Sequence, residues 1–181
     1  MSILSAAAQV DADHFQLGAS VKIAESPNGK SRYVQALRYR GGTLTLQTAP
    51  ATQQGLQYDR TGEGIVILIS PWLRRQLDTI DNFVASHVML PWEYQLPNIM
   101  SEVLFQPTFC SAALSIKLDS HCIVTVTDDG ETYELPIGDH PQFGLGKYKF
   151  QIEAPSVYIG PLKYGKKYTT NLRVVRIHCD K

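Results

Sequence analysis

Strand-type patterning, alternating or β-branched, runs along most of this chain and gives way to a helical period once, between residues 71 and 89. Alternation with a period of two sends successive side chains to opposite faces of a strand. Such stretches cover residues 20–25, 32–40, 43–48 and 64–69, and then 122–127, 131–137, 147–153, 156–159 and 168–178. Gly41-Gly42 reads as a hairpin turn between the second and third, and Asp128-Asp129-Gly130 supplies the positive φ angles of a tight hairpin between two later ones. The exception begins at Ser70-Pro71-Trp72, an N-cap followed by proline in the first helical turn. Leu73, Leu77, Ile80, Val84 and Val88 then recur at helical spacing, which predicts one amphipathic helix over residues 71–89, ending before Pro91 with its apolar stripe in the core. A β-rich chain with one central helix fits a mainly β fold, either an OB-like Greek-key barrel or a two-sheet β-sandwich.

With 181 residues, no internal repeat and no low-complexity linker, the chain reads as a single β-rich domain over residues 1–181. A hydrophobic share of 44% excludes a disordered chain, and the longest aliphatic run, Ile65 to Ile69, is far too short to cross a bilayer. The first eight residues lack the basic start and long apolar stretch of a secretory signal. Cys110, Cys122 and Cys179 are odd in number and have no CxxC spacing, which suits a reducing compartment. The expectation is therefore a soluble intracellular protein, not secreted and with no membrane partner; if the chain is viral, the compartment is the host cell.

Catalytic constellations are not found. The candidate metal ligands His14, His87, His121, Cys122, His140, His178 and Cys179 have no repeated ligand spacing, and in strands the pairs His121-Cys122 and His178-Cys179 point to opposite faces. Cys110 sits in an apolar stretch as an inert thiol, and no serine has a nucleophile-elbow context. Gly144-Leu145-Gly146-Lys147 lacks the spacing and the Ser or Thr of a phosphate loop. Turn chemistry and strand alternation account for Asp128, Asp129, Glu131 and Glu134. The reading is a non-enzyme with no cofactor and no metal.

The formal net charge of zero conceals a segregated distribution along the chain. Residues 20–76 carry eight Lys and Arg against three Asp and Glu, residues 77–142 carry one against ten, and residues 143–181 carry eight against two. If folding joins the two basic blocks, one face becomes positive, as a polyanion groove requires. Both blocks interleave bases with aromatic rings. The first holds Arg32, Tyr33, Arg38, Tyr39 and Arg40; the second holds Lys147, Tyr148, Lys149, Tyr158, Lys163, Tyr164, Lys166 and Lys167. Cationic side chains that track phosphates and flat rings on which bases stack are what single-stranded nucleic acid needs. Half-exposed strands also carry Tyr, Lys and Arg for ordinary structural reasons.

The run Arg40-Gly41-Gly42-Thr43-Leu44-Thr45-Leu46-Gln47-Thr48-Ala49-Pro50 with Gly55-Leu56, and the run Pro155-Ser156-Val157-Tyr158-Ile159-Gly160 with Tyr164-Gly165 and Leu172-Arg173-Val174-Val175-Arg176-Ile177, resemble segments of the single-stranded-DNA-binding proteins of large DNA viruses and phages. The resemblance covers about a third of the chain in two short blocks. It implies an OB-like barrel, a part in DNA replication or recombination, and binding of single strands without marked sequence preference. The ending Ile177-His178-Cys179-Asp180-Lys181 departs from the acidic tail by which many such proteins recruit partners. A rival reading is a viral structural or assembly protein that self-associates, the acidic middle of one copy meeting the basic ends of the next, with Trp92-Glu93-Tyr94-Gln95-Leu96-Pro97 as an interface segment.

Overall fold

A computed structural model of the chain describes residues 2–25, 30–108, 113–137 and 143–181. The strands are β1 (Ser2–Leu4), β2 (Phe15–Glu25), β3 (Ser31–Tyr39), β4 (Leu44–Gln47), β5 (Ala51–Gln53), β6 (Gly64–Leu68), β7 (Phe105–Gln106), β8 (Ala113–Asp128), β9 (Glu131–Pro136), β10 (Gly146–Ile159) and β11 (Tyr168–Asp180). One α-helix, α1 (Pro71–His87), stands among them in the described residues. The class is mainly β with a single helix, as the sequence predicts, and the strands form one large mixed sheet that is not closed into a barrel.

Three long strands organise the sheet. One edge of β10 pairs antiparallel with β11 from Lys147↔Asp180 to Ile159↔Tyr168, and its other edge is shared in succession by β5, β4 and β3. The far edge of β11 takes β7 and then β8 in parallel, and β8 in turn carries β6 and β9. The turn after β3 places Arg40 (φ 50) and Gly41 (φ 80) in left-handed geometry, one residue earlier than Gly41-Gly42 suggests. Beyond the Tyr39↔Gly42 bridge β3 and β4 do not pair with each other; both join β10, so this turn does not close the expected hairpin. The second predicted hairpin forms: Asp128 pairs with Glu131 around Asp129 (φ 48) and Gly130 (φ 82).

Alternation decides which side of β10 is buried. Tyr148, Phe150, Ile152 and Ala154 are core residues, whereas Lys147, Lys149, Gln151 and Glu153 face outward. The phase then flips, because Glu153 pairs with Arg173 but Ser156 pairs with Asn171, so the strand gains a residue at 154–155. Pro155 has no N–H for the ladder, and a bulge is where a strand interior tolerates it. After the bulge Val157 and Ile159 are buried while Ser156 and Tyr158 turn outward. Residues 147–153 and 156–159 are thus one strand with a changed phase.

Helix α1 covers the inner face. Ser70 Oγ accepts from Leu73 N at 3.1 Å and Pro71 opens the first turn, as the N-cap signal predicts. Leu73, Leu77, Ile80 and Val84 form the buried stripe. The helix ends at His87, with Val88 already extended (ψ 137), two residues short of the predicted end. Trp72 Nε1 donates to Ala8 O (2.7 Å) and Gln76 Oε1 accepts from Val10 N (2.7 Å), tying the N-terminal segment to the helix. No helix among the described residues is long and apolar enough to cross a membrane.

Candidate nucleic-acid interface

The outer face of β10 carries Lys147, Lys149, Gln151 and Glu153 and, past the bulge, Ser156 and Tyr158. Across one edge Val34 pairs with Tyr158 and Ala36 with Ser156, so the even-numbered residues of β3, including exposed Arg32 and Arg38, share this face. The two basic blocks therefore meet. They do not meet alone, because β11 is the neighbour of β8 and brings the acidic middle of the chain to the same surface. Arg173 Nη2 lies 2.9 Å from Glu153 Oε2 and Nη1 lies 3.4 Å from Asp119 Oδ1, while Arg176 Nη1 lies 2.9 Å from Glu134 Oε1. The expectation of one wholly positive face is corrected accordingly: charges segregated along the sequence are interleaved in space.

Lys147 and Lys149 escape this neutralisation and form no ion pair with an Asp or Glu of the described residues. They line a solvent-facing recess of about 360 Å³ with Pro50, Thr127, His178 and Asp180. His178 pairs with Lys149 across the strands. Partial burial, then the charges of Lys149 and Arg176, hold its proton affinity below the usual histidine value. Sequence reasoning weighed His178 only as a metal ligand beside Cys179; alternation across the β10–β11 pair was the signal that could have placed it with the lysines. In the structure His178 lies on the outer face and Cys179 is buried, and likewise His121 is exposed and Cys122 buried. Burial pushes the Cys122 thiol up to about 12. Among the described residues no group of three or more His, Cys, Asp or Glu could hold a metal ion; Cys110 and His140 lie outside them.

The aromatic candidates divide sharply. Tyr39 and Tyr148 are fully buried and present no ring to solvent, so neither is placed to stack on a base. Tyr39 Oη accepts from Asp11 N at 3.2 Å, and Tyr148 Oη donates to Gly144 O at 2.6 Å. They fall on the core side because alternation opposes them to Arg38 and Lys149. Tyr33 is half-buried and donates its hydroxyl to the Glu93 carboxylate, which raises the phenol and lowers the carboxyl from their ordinary values. The half-buried Tyr158 leans along its own strand, so a Cβ on Gly160 would stand 2.5 Å from its hydroxyl. Tyr164, in left-handed geometry (φ 57), is 94% exposed.

The remaining cations are spread out. Arg40 sits at the β3 turn with its guanidinium 5.4 Å from the Tyr39 ring centre. Lys163, Lys166 and Lys167 cluster with Tyr164 in the turn between β10 and β11, where Lys166 Nζ donates to Val103 O at 2.7 Å. That turn and the Lys147–Lys149 recess stand at opposite ends of β10, roughly 40 Å apart at about 3.3 Å per residue.

A second recess of about 300 Å³ opens where Asp119 and His121 bulge from β8, the register stepping from Val174↔Leu118 to Arg176↔Ile123. Thr45, Gln151, Glu153 and Arg173 are among the residues of its wall, and the buried Thr45 hydroxyl has no hydrogen-bond partner among the described residues. Comparisons with protein-family models, with curated proteins and with solved structures find no match to this chain.

Proposed function

We propose that this protein binds single-stranded DNA, without turnover, along the outer face of β10 and its neighbours. The observation that carries the reading is the Lys147–Lys149 pair: two outward-facing cations two residues apart on one strand, in ion pairs with no carboxylate of the described residues, beside His178 in one recess. Alternate positions on a strand stand about 7 Å apart, a spacing that lets each ammonium meet its own phosphate. Arg32 and Arg38 extend the track across β3, and the exposed ring of Tyr164 with the half-buried ring of Tyr158 offer base-stacking surface at its far end, each stack contributing about 1–3 kcal/mol. A part in DNA replication or recombination follows from such binding.

The test is fluorescence anisotropy of a labelled single-stranded oligonucleotide at low and moderate salt, with duplex of equal length as competitor. Salt-sensitive binding that duplex displaces poorly, and that K147E/K149E abolishes, is the expected result. Absence of binding at low salt overturns the reading.

A further inference from the structure

Two surfaces at opposite ends of the long strands complement each other. At one end the start of β3, the end of β10 and the start of β11 support the segment 88–104: Tyr168 Oη donates to Ser101 O (2.9 Å) and Lys167 N to Leu104 O (2.8 Å). This segment leaves Met89, Trp92, Met100 and Val103 exposed by 79, 83, 69 and 60%. The same segment forms a recess of about 290 Å³, lined by Met89 together with Leu90, Tyr94, Leu96 and Ile99. An apolar cluster of this kind on a folded domain marks an interaction surface. Its rim is net basic: Lys163, Lys166 and Lys167 in the β10–β11 turn and Lys30, which lies 5.7 Å from the Tyr94 ring centre, outnumber Glu93 and Glu102 of the segment itself. An occupant must therefore bring apolar surface and negative charge together.

The other end of the molecule has both. The β8–β9 tip, Asp128-Asp129-Gly130-Glu131, is acidic and exposed, and Tyr133, 43% exposed, follows it as an aromatic anchor. Asp128 has a distant partner in Lys181 (3.8 Å), and neither Asp129 nor Glu131 forms an ion pair in the described residues. Thr127 pairs with Asp180 and Asp180 with Lys147, so the tip lies at the Lys147 end of β10 and the basic apolar patch at the Ile159 end, roughly 40 Å away. No copy can satisfy its own patch with its own tip.

We propose that the acidic β8–β9 tip of one copy docks on the basic-rimmed apolar patch of a second copy. The two surfaces differ, so the contact is heterologous and builds head-to-tail chains instead of closed dimers. It needs no nucleic acid.

The test is sedimentation velocity over a concentration series at low salt. Two variants reverse the surfaces separately: D128K/D129N/E131K, in which asparagine tolerates the left-handed φ of position 129, and K163E/K167E, which spares the Lys166–Val103 hydrogen bond. The expected result is a mass for the unaltered protein that rises steadily above the 20.2 kDa monomer. Each variant alone needs a roughly tenfold or higher concentration to associate. An equimolar mixture regains association, since the unaltered tip of the second variant meets the unaltered patch of the first, and this also shows that both fold. A protein monomeric throughout, an association that neither variant weakens, or a mixture that stays monomeric overturns the proposal.

Discussion

Asp81 on α1 is buried, and its ionisation couples the helix to the sheet. Its Oδ1 accepts from Thr108 Oγ1 (2.6 Å) and Thr170 Oγ1 (3.0 Å), and its Oδ2 accepts from Thr108 N (2.8 Å). Burial raises the carboxyl above its ordinary 3.8 against the opposing pull of these three hydrogen bonds. The folded chain therefore holds this proton more tightly than the unfolded chain. The group's contribution is fully present below the unfolded value and is lost as pH rises through the folded one. Between the two values only the native state keeps the proton, so stability falls by about 1.4 kcal/mol per pH unit from this group. Asp81→Asn removes the ionisation but turns an amide donor toward either the Thr108 N–H or its hydroxyl, at a pH-independent cost of about 1–3 kcal/mol. Urea unfolding of both proteins between pH 4 and pH 8, followed by tryptophan fluorescence, reads the difference directly. The stability advantage of the native protein over Asp81→Asn is expected to shrink as pH climbs from about 4 and then level off. An advantage that grows with pH would mean that the hydrogen bonds outweigh burial, and the reasoning would be wrong.

Two further substitutions probe local features. Ser70→Ala leaves the Leu73 N–H without its side-chain acceptor and is expected to cost about 1 kcal/mol, a fall of about 2–4 °C in Tm for a domain of this size; Ser70→Asp should restore most of it in a thermal melt. Gly64→Ala places a Cβ 2.7 Å from the Ile116 carbonyl oxygen, a backbone atom fixed by the β6–β8 ladder. Overpacking of about 1–3 kcal/mol is expected, and a urea midpoint equal to that of the native protein would show that the ladder yields at no cost.

Local signals carried the elements that they alone specify. The Ser70-Pro71 start and the Leu73, Leu77, Ile80, Val84 stripe fix α1, and Asp129-Gly130 fixes the β8–β9 turn, because each depends on a few neighbouring residues. Elements set by distant partners were not legible. β8 begins at Ala113 although the pattern suggested residue 122, since the extra residues 119–122 interrupt its period where β11 passes. Alternation divides the basic and aromatic residues of β3 and β10 between two faces. Which face is inner depends on what α1 covers, so Tyr39 and Tyr148 lie in the core, away from any base, while Lys147 and Lys149 face outward. The parallel β8–β11 pairing, which seats Glu134 and Asp119 beside Arg176 and Arg173, links residues some fifty positions apart and leaves no trace in segment charges.

The claim that phosphates lie along the outer face of β10 has a direct thermodynamic reading. Each phosphate neutralised on a single strand contributes about 0.7 to the slope of log affinity against log salt. K147Q/K149Q removes two such contacts without adding repulsion. The plot for single-stranded DNA should therefore flatten by about 1.4 relative to the native protein, so that from about 50 to about 200 mM salt the native protein loses roughly sevenfold more affinity than the variant. Parallel plots for the two proteins would place the nucleic acid elsewhere and contradict the account.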